Sequence, residues 1–120
     1  MTEAPKQNID KDWFLEHHLM MHRIRAFEET AARANDEKLV LGAIHLSIGQ
    51  EAIASGVCKN LKREDFLLST HRGHGHTLAK GADPLAMMLE LLWRHGGICN
   101  CKGWSMHIAC LLYTTDAADE

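Results

Sequence analysis

A chain of 120 residues, 46% hydrophobic and 24% charged, has the composition of one folded domain or part of one, which excludes wholesale disorder. Thirteen Lys and Arg against sixteen Asp and Glu give a formal charge of −3, and no basic cluster exceeds Lys62-Arg63. Nucleic-acid binding is therefore not expected, and neither is membrane insertion, because no apolar run is long enough to span a bilayer.

Residues 1–10 are polar, carry both charge signs and include Pro5. They read as a disordered leader without the apolar core of a secretory signal, so a cytoplasmic location is expected. From Lys11 to about Asn35 the spacing predicts a long amphipathic helix, with Trp13, Met20, Ile24, Phe27 and Ala31 on one face and Asp10 or Asp12 as its cap. A loop follows over 36–46. Ser47 and Gln50 have the spacing of a capping box, which predicts a second helix continued by Ala52, Ile53, Gly56 and Val57. Asn60–Glu64 is a polar turn, and Phe66, Leu67 and Leu68 predict a short buried strand. The next turn enters a helix over Thr77–Lys80 that Gly81 ends. Asp83-Pro84 starts another, carrying Leu85, Met88, Leu89, Leu92 and Trp93. Met20-Met21 and Met87-Met88 are expected in the core or an interface. Residues 96–107 form a Gly-rich, ligand-facing loop. The four cysteines, at 58, 99, 101 and 110, suggest no disulfide framework and are expected as thiols.

Three stretches could carry chemistry. In His71-Arg72-Gly73-His74-Gly75-His76, the guanidinium is a planar fork of donors suited to phosphate, and the glycines admit close backbone approach. A polar turn whose histidines cap their neighbours reads equally well. The same histidines with Cys99, Cys101 or His107 could ligate a metal, although their spacing matches no known zinc motif. His45 stands just ahead of the second helix, where a histidine can act as acid, base or oxyanion donor, or simply make a structural hydrogen bond. Lys102-Gly103-Trp104-Ser105-Met106-His107 has the residue types of a ligand-contact loop and, equally, of a plain connection.

Taken in register, His45-Leu-Ser-Ile-Gly-Gln-Glu-Ala52, Ser69-Thr-His-Arg-Gly-His-Gly-His76, Ala79-Lys-Gly81 and Lys102-Gly-Trp-Ser-Met-His-Ile-Ala109 resemble the alpha subunits of thiamine-diphosphate-dependent dehydrogenases. That family includes the pyruvate dehydrogenase and acetoin dehydrogenase alpha chains. The resemblance covers about residues 11–109, and Thr70-His71-Arg72 is closer to the acetoin chains, since pyruvate dehydrogenase chains usually have Tyr before the Arg.

The resemblance implies an α/β fold: part of the thiamine-diphosphate-binding α/β/α sandwich, mostly helical here, with the long first helix packed outside. It implies an amino-terminal part of that domain over 11–109 and a non-family tail over 110–120, similar to translated adapter read-through. His45 matches the histidine that faces the substrate. His71 and Arg72 match the pair on the cofactor's diphosphate, and His74 is a further candidate beside it. The implied cofactors are thiamine diphosphate and Mg²⁺, whose Gly-Asp-Gly…Asn ligand segment lies outside this sequence; no metal ligand is assigned within it. The implied chemistry cleaves a 2-oxo acid such as pyruvate, or acetoin, and passes the acyl unit to a lipoyl-bearing acyltransferase. A beta subunit supplies the activating glutamate, in a heterotetramer. Cys101 and Trp104 depart from the pattern, which has glycine at both positions. The 120 residues alone are expected to be inactive. Two rival readings are a non-catalytic interaction module, docking through the first helix, and a small His/Cys metal-binding protein.

Overall fold

A computed structural model describes residues 10–103, 105 and 113–115. The leader before Asp10, Trp104, residues 106–112 and residues 116–120 lie outside the described residues.

The first helix, α1 (Lys11–Asp36), starts where Asp10 accepts a hydrogen bond from the Asp12 amide at 3.1 Å. Ile24, Phe27 and Ala31 bury as their spacing predicts. Trp13, at the head of the same stripe, is 46% exposed and lies against His17 of its own helix, with ring centroids 4.0 Å apart. Two polar side chains complete the buried face, His17 and Glu28. His17 Nδ1 lies 2.8 Å from the Ser55 hydroxyl and joins α1 to the second helix, α2 (Glu51–Lys59).

The capping box predicted for α2 does not form. Gln50 occupies the cap without a side-chain bond, and the Ser47 hydroxyl donates to Glu28 Oε1 at 2.6 Å. A buried carboxylate on α1 therefore outcompetes the first-turn amides of α2 for Ser47. The helix buries Glu51, Ala54, Ser55 and Cys58, while Ile53 and Val57 face outward. Small residues do govern the contact, through Ala54 and Ser55. Gly75 lies where α1 and α2 meet the next helix: a Cβ on it would stand 3.2 Å from Ile24 and Ser47 and 3.3 Å from Ala54.

The strand β1 (Leu67–Ser69) pairs in parallel with β2 (Tyr113–Thr115), Leu67 opposite Tyr113 and Ser69 opposite Thr115. It is not the buried strand expected, since Leu68 and the preceding Phe66 are exposed. Helix α3 (His74–Ala79) begins before the predicted Thr77, inside the histidine motif, and Gly81 ends it at φ +97°. In α4 (Pro84–Leu91) the Asp83 carboxylate accepts from the Leu85 and Ala86 amides, and Pro84 occupies the first turn as predicted. The helix stops at Leu91, and Trp93 takes φ +52°. Its buried face is Met87, Glu90 and Leu91; Leu85 and Trp93, expected on the apolar face, are exposed.

One core unites these helices: Ile24, Phe27, Ala31, Ala54, Leu78, Ala82, Met87 and Leu91. Fully burying Ile24, Met87 or Leu91 contributes about 1.5–3 kcal/mol each over leaving it exposed. The fold is mostly helical, and its described strands form a two-stranded ladder. Among the described residues no helix is long and apolar enough to cross a membrane. Cys58 and Cys101 are thiols, whereas Cys99 is disulfide-bonded, against the expectation of four thiols.

Candidate functional site

Two segments distant in sequence meet at the site: the approach to α2, carrying His45, and the turn between β1 and α3, carrying His71 and Arg72. The His45 and His71 rings sit edge to face, with centroids 4.6 Å apart and planes at 77°. Both are half-buried, and Arg72 next to them is exposed. The turn is held from beneath. The Thr77 hydroxyl donates to the Gly73 carbonyl at 3.0 Å. Burial pushes the His76 ring below its ordinary pKa, and the neighbouring Arg72 backbone only partly offsets it, so His76 favours the neutral form.

His74 stands elsewhere than the pair. It is buried, with Nδ1 at 3.1 Å from Glu28 Oε2, Nε2 at 3.0 Å from the Ser105 carbonyl, and its ring edge-on to Phe27. Helix formation from His74 onward turns this residue inward beneath the turn that displays Arg72. Glu28 also accepts from the Ser47 amide at 3.2 Å. Burial raises the pKa of Glu28, but the bonds from His74 and Ser47 outweigh it, and the carboxyl sits below its ordinary value.

A second buried carboxylate, Glu51, accepts from Arg25 Nε at 2.6 Å and from the Gly49 amide at 2.9 Å. Arg25 foremost, against the opposing effect of burial, lowers its pKa to about 2. A third, Glu90, organises the Gly-rich loop by accepting from the amides of Cys99 and Cys101 at 3.0 Å and of Gly103 at 2.9 Å. A Cβ on Gly97 would fall 2.4 Å from Glu90 Oε2 and 2.9 Å from its Cα, so only glycine leaves that carboxylate its place.

The sequence reading brought forward neither Glu28 nor Glu90. A signal was there. Glu28 lies between Ile24 and Ala31 and next to Phe27, and Glu90 between Met87 and Leu91, so both fall on apolar helical faces. A carboxylate placed there needs buried donors.

Among the described residues, no group of three His, Cys, Asp or Glu is placed to hold one metal ion. His71, His74 and His76 do not converge into the ligand set of the metal-binding rival. Glu28, Glu51 and Glu90 are each engaged by donors within the chain, so the described residues offer no carboxylate set for Mg²⁺ either. The donor set on the turn does fit a diphosphate: a guanidinium free to reach outward, beside an imidazole pair, on a backbone fixed from below.

The profile of the "Dehydrogenase E1 component" family matches residues 19–116. The acetoin:2,6-dichlorophenolindophenol oxidoreductase alpha subunit of Cupriavidus necator is 46% identical over 103 residues, covering 86% of this chain and 31% of the relative. Its Bacillus subtilis counterpart is 46% identical over 91 residues, 76% of this chain and 27% of the relative. The pyruvate dehydrogenase E1 component alpha subunit of Zymomonas mobilis is 40% identical over 104 residues, 86% and 29% respectively. The chain thus spans about three-tenths of the length of these curated relatives. On the family match and these identities, the chain belongs to the dehydrogenase E1 component family.

Proposed function

We propose that this chain forms part of the alpha subunit of a thiamine-diphosphate-dependent dehydrogenase acting on acetoin or on a 2-oxo acid such as pyruvate. The observation that carries the reading is the meeting of His45 with His71 beside exposed Arg72, on two of the motifs that resemble the family. In this reading Arg72 grips diphosphate oxygens with paired N–H donors, and His71 adds a ring nitrogen from the same turn. His45, held against His71, faces the substrate and exchanges a proton with its oxygen. His74 supports the diphosphate turn from within. Bound thiamine diphosphate supplies the nucleophilic carbon and the electron sink for cleaving a bond next to a carbonyl. Mg²⁺ ligands come from residues beyond those described, a beta subunit completes the site, and a lipoyl-bearing acyltransferase receives the acyl unit.

The test is thiamine diphosphate binding. Arg72→Ala is expected to weaken it at least tenfold, in keeping with about 1.5–3 kcal/mol for hydrogen bonds to charged groups. The 120-residue chain is expected to reduce no artificial acceptor with pyruvate or acetoin. Equal binding by the Arg72→Ala and parent chains sinks the assignment. The interaction-module reading has one observation in its favour, the exposed apolar row Trp13, Phe14, Leu15 and Leu19 on α1. Binding that ignores Arg72 would put that reading first.

A further inference from the structure

The two walls of the candidate site are tied together by a closed circuit of buried and part-buried hydrogen bonds. Glu28, fully buried on α1, is its hub. Its Oε1 accepts from the Ser47 amide and hydroxyl, two residues beyond His45. Its Oε2 meets His74 Nδ1, two residues beyond Arg72. The opposite nitrogen of His74 meets the Ser105 carbonyl, and the Ser105 hydroxyl donates to the Ala43 carbonyl, back on the segment that carries His45. We infer that Glu28 is a positioning residue that sets the spacing between His45 and the His71-Arg72 turn. The inference rests on the proposed thiamine diphosphate reading of that pair of segments.

Donor and acceptor matching gives Glu28 its role. Ser47 presents two donors to one carboxyl oxygen, and a ring nitrogen of His74 meets the other. A glutamine could still serve both walls, its oxygen accepting from Ser47 and its NH2 donating to the bare Nδ1 of a neutral His74 ring. Leucine, of similar size, offers neither wall a partner, so Glu28→Leu releases both from α1.

The experiment uses the chain at low concentration, inorganic pyrophosphate as probe, and diethyl pyrocarbonate labelling of histidines read by mass spectrometry. In Glu28→Leu, labelling of His45 and His71 is expected to rise severalfold while His17, buried between α1 and α2, stays as protected as in the parent. Pyrophosphate affinity is expected to fall about tenfold, a loss of about 1.4 kcal/mol. A uniform rise at every histidine would mean general loosening and would overturn the positioning role. So would unchanged labelling and affinity in Glu28→Leu when Arg72→Ala weakens binding as expected. Pyrophosphate binding indifferent to Arg72→Ala overturns the cofactor reading instead, and the labelling pattern still judges the circuit. If Glu28→Leu does not fold, Ser47→Ala removes a single hydroxyl from the circuit. It is expected to raise labelling at His45 alone, and no change there overturns the role.

Discussion

At Cys101 the backbone stands at φ +61°, a region that costs a side-chain-bearing residue about 1 kcal/mol or more and costs glycine nothing. The family pattern has glycine at this position, and the geometry gives the reason. The Cys101 amide must turn toward Glu90 Oε2, which it reaches at 3.0 Å, and the left-handed conformation aims it there. Cys101→Gly is therefore expected to stabilise the chain by about 1 kcal/mol, less the small contribution of the Sγ contact to the Arg94 carbonyl. Urea unfolding checks it, and a destabilised variant would mean that the thiol contact outweighs the strain. Trp104, the other departure, lies outside the described residues. At this scale His45, His71 and Arg72 could be put forward from motif wording alone. The inward turn of His74 could not, since it depends on α3 starting at His74.

Helix α2 is seated by ionic and polar contacts as much as by apolar ones. Glu51, in its first turn, joins Arg25 on α1 to the Gly49 amide. Its pKa is lowered from the ordinary 4.5 to about 2, so its stabilisation is fully present above 4.5 and is lost as pH falls toward 2. Glu28, also lowered, acts with the same sign. Because the Arg25 side chain is 42% exposed, screening leaves Glu51 on the order of 1 kcal/mol. Glu51→Gln is expected to flatten the fall of unfolding free energy between about pH 5 and about pH 3 by that amount. An unchanged slope would remove Glu51 from the account of acid sensitivity. Helix starts at Asp10 and Asp83 were readable because a cap is a local event. The capping box at Ser47 was misread because its competitor, Glu28, lies nineteen residues away.

Among the described residues, many large apolar side chains remain exposed. Trp13, Phe14, Leu15 and Leu19 stand out on α1, Ile53 and Val57 on α2, Phe66 and Leu68 by the strand, and Leu85 and Trp93 around α4. Exposed apolar surface on this scale drives association in water. The chain is expected to self-associate as concentration rises and to bind an apolar dye. Light scattering after size-exclusion chromatography tests this, and a monomer at all concentrations with a sharp thermal transition would count against it.

The sequence by itself determined where the long first helix and the Asp83-capped helix run, and the family, because periodicity, capping and motif wording are properties of neighbours along the chain, and it narrowed the first cap to Asp10 or Asp12. Only the tertiary structure decided which face of α2 is buried, that Ser47 serves Glu28 instead of its own helix, and that His45 and His71 meet across 26 positions. These depend on which buried donors reach which buried carboxylates, and that is fixed only when the helices pack.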